Sequence, residues 1–312
     1  MSLRAIVAAA FWLCLAALAY IFFSARVGTP PASGSFPARA PADALNTMPR
    51  VEVPFAASSA APSPPAQWSP QDSPAIAARR WREAADKRAF YDRALETGGG
   101  AYLHYAGKAL AACSAVNRSG MIGAEQRFAS SQRADDPALT RRIEAFRASL
   151  AGCEGFEARA VPAEDEAALF QRLLASPDLV GRIYATKLWA LTGSRGEEAR
   201  AVLRQTVETR DAELLALVYP ALVAREFASP ETAPKTEDIQ NELDAWRWAL
   251  CELGTDCSPA SAYGRALCSG RGLCEWRRVD DIAAAAFPGA TAERRDEIVA
   301  RVRAGDWTKL GL

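Results

Sequence analysis

Six of the seven cysteines lie beyond residue 100, and they constrain the fold of this chain more than any other feature. They are Cys113, Cys153, Cys251, Cys257, Cys268 and Cys274. Six such thiols can form three disulfides, hold a metal ion or carry out redox chemistry. The compartment in which the chain folds decides between these roles, because thiols stay reduced in the cytosol and oxidise outside it.

An uncharged apolar run from Ala5 to Phe23 indicates that the chain is exported. As a helix this run would span about 29 Å, the thickness of one hydrocarbon core. Arg4 precedes the run and favours an amino terminus in the cytoplasm. We therefore predict a signal anchor at residues 1–26, a single-pass helix in the bacterial inner membrane with the carboxyl-terminal domain in the periplasm. Cleavage of a signal peptide after Ala19, which would release a soluble secreted protein, is the alternative.

Proline dominates residues 27–73, which we predict to be a disordered linker rich in proline, alanine and serine. Its prolines are Pro30, Pro31, Pro37, Pro41, Pro49, Pro54, Pro62, Pro64, Pro65 and Pro70. Such a composition favours an extended polyproline conformation and offers little surface to bury. The segment is expected to hold the downstream domain away from the membrane.

Helix start and stop signals recur from residue 74 to residue 312. Ser73-Pro74 suits an N-cap followed by the first helical position, and a helix is expected to run to about Glu96, where Gly98-Gly99-Gly100 would stop it. Further helix starts are expected at Asp136-Pro137, Pro162, Ser176-Pro177-Asp178 and Thr236.

The apolar residues of this region follow helical spacing, and no segment alternates as a strand does. Ile239, Leu243, Trp246 and Leu250, for example, share one helical face. We therefore predict an all-α domain over residues 74–312, either an irregular helical bundle or a short α-solenoid. A subdivision near residues 230–236 is a candidate boundary.

Two parts of this helical region resemble tetratricopeptide-like and Sel1-like helical-repeat proteins. They are residues 100–110 (GAYLHYAGKAL) and residues 178–193 (DLVGRIYATKLWALTG), the second followed by residues 197–203 (EEARAVL). Small residues and aromatics at helical spacing, a glycine break and an alanine-rich second helix carry the resemblance. It implies helical pairs whose grooves bind peptides. The chain is also similar to exported proteobacterial proteins whose helices end in cysteines, as Leu110-Ala-Ala-Cys113 does here; that similarity implies no chemistry.

The cysteine spacing favours disulfides over zinc or redox chemistry. The second and third cysteine pairs are both Cys-x5-Cys, whereas structural zinc sites use pairs separated by about two to four residues. The chain has no Cys-x-x-Cys motif of a thioredoxin-like site. Cys14 lies inside the apolar run and takes no part.

Local turn chemistry suggests which cysteines pair. Cys251 is expected to close one helix and Cys257 to open the next, with Gly254 ending the first of them. Gly270 and Gly272 are expected to turn the chain back after the helix that follows. We therefore predict the disulfides Cys251–Cys257, Cys268–Cys274 and, from the remaining two cysteines, Cys113–Cys153.

No catalytic pattern is recognisable, and we predict that the chain is not an enzyme and needs no cofactor. His104 is the only histidine, and between Tyr102 and Tyr105 in an apolar helix its expected role is that of a packed or half-exposed ring. One imidazole disfavours a histidine metal site, and Gly100 to Lys108 lacks the spacing of a phosphate loop. A cell-envelope enzyme that uses carboxylates on a glycan or peptide is the alternative, because carboxylates paired in space are invisible in a sequence.

The charge balance argues against nucleic-acid binding. Lys plus Arg and Asp plus Glu number 37 each, so the formal net charge is zero, whereas nucleic-acid binding usually comes with a basic excess. The many alanines and arginines are typical of bacterial coding rich in G and C.

Aromatic residues provide a candidate binding surface, although packing in the core is the alternative for each of them. They are Tyr102, Tyr105, Trp189, Trp248 and Trp276. The expected function is therefore a non-enzymatic interaction or scaffold module, anchored in the membrane, that binds an unidentified envelope protein or peptide in the periplasm.

Overall fold

A computed structural model describes residues 67–192, 195–227, 235–308 and 312, and these residues form helices and connecting turns without a strand. The predicted anchor at residues 1–26 and the linker up to residue 66 lie outside the described residues. None of the described helices is long and apolar enough to cross a membrane.

The α-helices of the described residues are numbered here in chain order. They are α1 Pro74–Glu83, α2 Lys87–Thr97, α3 Gly100–Ala112, α4 Ser114–Ser130, α5 Leu139–Ser149, α6 Glu154–Ala158, α7 Ala163–Ala175, α8 Leu179–Thr192, α9 Gly196–Glu208, α10 Ala212–Glu226, α11 Thr236–Glu252, α12 Ala262–Arg271, α13 Ala283–Ala286 and α14 Ala292–Ala304. A single turn of 3-10 helix, Val279–Ile282, precedes α13. The predicted all-α class is confirmed for these residues.

Several predicted helix boundaries are confirmed. The α7 helix begins directly after Pro162 and carries three acidic residues in its first turn, where the helix dipole favours them. The α11 helix begins at Thr236, as its acidic start predicts. Gly98 and Gly99 end α2 with positive φ angles of 72° and 76°, which glycine adopts without strain.

The single helix predicted from Pro74 to about Glu96 is wrong, because the chain forms two helices there. The α1 helix ends at Glu83, and Asp86 starts α2 as its N-cap. The carboxylate of Asp86 accepts hydrogen bonds from the backbone N–H groups of Arg88, at 2.8 Å, and Ala89, at 3.0 Å. An aspartate that caps in this way stabilises a new helix start more than a continuous helix.

The folded unit begins at Trp68, six residues before the predicted start at residue 74. The Trp68 ring stacks on Tyr102 with ring centroids 4.8 Å apart, and the guanidinium of Arg80 lies 5.2 Å from the Trp68 ring centroid. Asp72 accepts hydrogen bonds from the Tyr102 hydroxyl at 2.5 Å and from Arg80 at 2.7 Å. The last residues assigned to the linker therefore belong to the helical unit, which extends to Leu312.

Two hydrophobic clusters form the core of this unit, and α11 contributes to both. Trp246 is fully buried in the larger cluster, which extends from α1 to α14. Trp248, two residues later, points into a smaller cluster with Leu267 and Phe287. Residues two apart on a helix face different directions, so one helix joins the two clusters.

Three disulfides join the six described cysteines. They are Cys113–Cys153, Cys251–Cys257 and Cys268–Cys274, the same pairs that the spacing predicts. Cys113 directly follows α3 and Cys153 directly precedes α6, so the first bond joins the ends of two helices. Both of these cysteines are fully buried.

Counting reactive thiols tests the three bonds. Alkylation of the native protein without reductant, followed by intact mass measurement, should label only Cys14, or nothing if the chain is cleaved after Ala19. After reduction and unfolding, six more thiols should react. Labelling of four or more thiols without reductant would contradict the disulfides.

Removing the long-range disulfide should destabilise the unit more than removing a short-range one. The first bond spans 40 residues and the second spans 6, so chain entropy predicts losses of about 4 and about 2 kcal/mol in the free energy of unfolding. Urea unfolding of the Cys113→Ala/Cys153→Ala variant, with Cys251→Ala/Cys257→Ala as its matched control, measures both. Equal losses would contradict this account.

Candidate functional site

The described residues bring the histidine and two lysines together where α3, α8 and the start of α10 meet. We call this group the lysine cluster, and its members are His104, Lys108, Tyr184, Lys187 and Glu213. His104 and Lys108 belong to α3, Tyr184 and Lys187 to α8, and Glu213 to α10.

One carboxylate sets the relative position of α3 and α8. Asp178 accepts a hydrogen bond from the Gly100 backbone N–H at the start of α3. Its other carboxylate oxygen accepts from the Gly181 backbone N–H at 3.0 Å, in the first turn of α8. A Cβ atom at residue 100 would overlap Asp178, so glycine is required for this approach. The two helices therefore begin side by side at one shared cap.

The side chains of α3 and α8 meet at successive turns from this cap. Nδ1 of His104 lies 2.7 Å from the hydroxyl oxygen of Tyr184, within hydrogen-bonding distance. Lys108 follows His104 by four residues and Lys187 follows Tyr184 by three, and such residues share a helix face. Lys108 and Lys187 therefore lie one turn beyond the His104–Tyr184 pair, and the charge of Lys108 lowers the pKa of Lys187.

His104 is a buried ring in a positive environment, as the sequence predicts for its packing. Only 6% of it is exposed. Burial lowers the pKa of His104 well below its usual range, and the charges of Lys108 and Lys187 lower it further. The imidazole is therefore neutral at physiological pH.

Glu213 is the carboxylate that balances part of this positive charge. It accepts a hydrogen bond from the Tyr105 hydroxyl at 2.6 Å and from Arg82 at 3.1 Å, and it lies 3.6 Å from Nζ of Lys108. Burial by itself raises the pKa of Glu213, but Lys108, the Tyr105 hydrogen bond and Arg82 outweigh burial and lower it. Glu213 therefore stays ionised beside Lys108.

Lys187 has no comparable partner among the described residues. It is partly buried, and its Nζ lies 5.1 Å from the ring centroid of Tyr184, without an ion pair. Burial and the neighbouring charge of Lys108 lower the pKa of Lys187 to about 8. An ammonium group in such a place is stabilised by an incoming negative charge.

The cluster carries an excess of positive charge in a chain with no net charge. Arg82, Lys108 and Lys187 contribute three positive charges against the one negative charge of Glu213. The carboxylate of Asp211 caps α10 and accepts a hydrogen bond from the Glu213 backbone N–H at 2.8 Å. Its negative charge reduces the excess from two positive charges to one. An anion would complete this charge balance.

The predicted aromatic binding surface is wrong for three of its five residues. Tyr102, Tyr105 and Trp248 are at most 6% exposed and belong to the core. The sequence could not separate the two roles, because an aromatic residue in a helix has the same spacing pattern whether its side chain faces the core or a ligand. Trp276 is partly buried and donates its indole N–H to the Cys257 carbonyl at 3.1 Å. The side chain of Trp189 lies outside the described residues.

A second group of charged residues surrounds a cavity of about 220 Å³ between α11 and α14. Asp238 and Glu242 contribute acids to its lining. Both carboxylate oxygens of Glu242 accept hydrogen bonds from Arg294, at 2.7 and 2.8 Å, and Arg294 also binds Glu226 and Glu297. Glu242 therefore serves an ion pair and is not placed as a free general acid.

Within the described ranges, no group of three or more His, Cys, Asp and Glu side chains stands close enough to hold a metal ion.

Sequence reasoning found His104 but missed its partners. Lys187 and Glu213 are among the few charges in helices that are otherwise largely apolar, and this contrast is the one signal that could have identified them. Their assembly depends on which helices pack together, which local spacing does not reveal.

In comparisons with known proteins, no family model, no curated protein and no solved structure matches the chain.

The protonation of His104 tests the electrostatics of the cluster. The imidazole should stay neutral at about pH 5.5, where an exposed histidine is mostly protonated, because burial and two ammonium groups oppose its charge. Below about pH 6.5 the unfolded chain binds this proton and the folded chain does not. The free energy of unfolding therefore keeps its full value above that pH and decreases as the pH falls below it.

Histidine-selective ¹⁵N NMR of the untagged protein reports this one ring. The His104 pKa should rise in Lys187→Gln and stay unchanged in Lys235→Gln, a control that removes an exposed lysine at the start of α11. Titration of the folded wild-type ring near pH 6.5 would contradict the assignment.

Proposed function

We propose that this protein is a non-enzymatic interaction module of the bacterial cell envelope that binds an acidic partner at the lysine cluster. The observation that carries the proposal is the uncompensated positive charge around Lys187, in a chain that is neutral as a whole. A partly buried cation without an acidic neighbour is energetically unfavourable, and binding of a complementary anion lowers its free energy. Charge complementarity of this kind selects partners and guides their approach.

The proposed setting is the periplasmic face of the inner membrane. It rests on the apolar run Ala5–Phe23, on the proline-rich tether after it and on six cysteines paired as disulfides. The contacts of Trp68 and Asp72 with Tyr102 and Arg80 suit a tether that joins its domain at a fixed point.

The finer architecture proposed is a short series of helical pairs, as the tetratricopeptide-like resemblance implies. Each helix from α7 to α11 contacts the next one along the chain, which supports this arrangement. Repeats of this kind bind extended segments on helical surfaces, and the lysine cluster lies on two of these helices, α8 and α10, and on α3.

A labelled acidic peptide tests the proposed function directly. The full chain in zwitterionic nanodiscs should bind fluorescein-labelled hexaglutamate more tightly than hexaglutamine, measured by fluorescence anisotropy, and added salt should weaken the binding. Lys108→Gln/Lys187→Gln should weaken hexaglutamate binding at least about tenfold, because charge-assisted hydrogen bonds contribute about 1.5 kcal/mol or more each.

Lys235→Gln serves again as the matched control and should bind as wild type does. Equal binding of the two peptides, or equal losses in the control and the double variant, would contradict a role for the lysine cluster in partner binding.

A further inference from the structure

The nitrogens of the lysine cluster belong to side chains that lie along the α3–α8 pair. The shared cap at Asp178 and the His104–Tyr184 contact fix the register of the two helices. In that register Lys108 and Lys187 extend from adjacent turns, and both lower the pKa of His104. Nζ of Lys187 lies 5.1 Å from the ring centroid of Tyr184, whose hydroxyl contacts Nδ1 of His104, and Nζ of Lys108 lies 4.8 Å from the ring centroid of Tyr105. The three side chains therefore lie along the same stretch of the α3–α8 pair.

His104 contributes a polar atom that the described residues leave without a partner. Its Nδ1 is taken by Tyr184, and Nε2 forms no hydrogen bond with the described residues. Burial raises the pKa of Tyr184 to about 12, so its hydroxyl keeps a proton that it can donate to Nδ1. With Nδ1 as acceptor, the proton of the neutral ring is on Nε2, which becomes a donor.

Within the cluster, Glu213 shows how these side chains hold a carboxylate. It lies 3.6 Å from Lys108 and is also bound by Tyr105 and Arg82. The Lys187 side of the cluster has the same kind of donors and no carboxylate. One uncompensated positive charge, once Asp211 is counted, matches a monoanion better than a phosphate dianion placed close to Glu213.

We infer that the lysine cluster is a carboxylate site, in which a carboxylate of an acidic peptide accepts hydrogen bonds from Nζ of Lys108, Nζ of Lys187 and Nε2–H of His104. This inference rests on the proposed function and names the group that the partner presents. Glutamate and aspartate side chains and a free carboxyl terminus carry this group. No covalent step is involved, because the site holds the anion by charge and hydrogen bonds alone.

Histidine-selective ¹⁵N NMR of the untagged full chain at about pH 7.5 tests the site with acetate as the probe. Acetate should shift the Nε2 resonance of His104 to saturation, and the bound form should be the neutral tautomer with its proton on Nε2. Sodium chloride at equal ionic strength should give no saturable shift. Inorganic phosphate is the comparison arm and should bind more weakly than acetate.

Two variants separate the role of each donor from an effect on folding. Lys187→Gln should weaken acetate binding at least about tenfold, the loss of one charge-assisted hydrogen bond. Tyr184→Phe keeps the ring and removes only the hydroxyl, so it should lower the fraction of the Nε2–H tautomer. Lys235→Gln should match wild type in both measurements, and the NMR spectrum of each variant shows whether it is folded.

Each outcome is decisive. Absence of a saturable acetate shift, tighter binding of phosphate, or a bound tautomer with its proton on Nδ1 would overturn the carboxylate site. If hexaglutamate still binds through Lys108 and Lys187 in that case, the proposed function stands and only this inference fails. If lysine-dependent hexaglutamate binding is absent as well, both fail.

Discussion

The shared helix cap at Asp178 is the interaction on which the arrangement of this protein's candidate site depends. Its two carboxylate oxygens bind the starts of α3 and α8, and glycine at position 100 lets the two helices approach. Every side-chain contact further along the two helices inherits its register from this cap. The contact between His104 and Tyr184 and the approach of Lys108 to Lys187 are its consequences, because helices are stiff and residues three and four apart share a face.

The α3 helix is fixed at both ends, so it can hold His104 and Lys108 in surroundings that lower the pKa of both. Asp178 binds its first residue, and Cys113 fixes its last turn to Cys153. Most of its own residues are buried. Lys187, with its lowered pKa, weakens the folded state at neutral pH, and His104 does so once the pH falls below about 6.5, so the rest of the unit must supply the free energy that keeps them in place. Departures of this kind from the most stable arrangement are typical of functional sites.

The two main groups of charges in the unit differ in how completely they are paired. Around Arg294 the carboxylates of Glu226, Glu242 and Glu297 surround one guanidinium, and Arg301 also pairs with Glu226 and Glu297. Each of these carboxylates therefore has a cationic partner, and the group joins α10, α11 and α14. In the lysine cluster Glu213 balances the cations directly, and among the described residues Lys187 has no ion pair. The first group therefore acts as a structural network, and the second is the one that gains from a ligand.

The sequence by itself determined the helical class, several helix starts and the cysteine pairs, because helix caps and six-residue cysteine spacings act over a few residues. The long-range pair Cys113–Cys153 followed by elimination. Local spacing could not show that Asp86 breaks the first helix, that Trp68 belongs to the core, or that Tyr102, Tyr105 and Trp248 face inward. Only the tertiary structure decided that Lys108 and Lys187 meet beside His104, because the pairing of α3 with α8 joins residues about 80 positions apart in the chain and their shared pKa effects arise from that proximity.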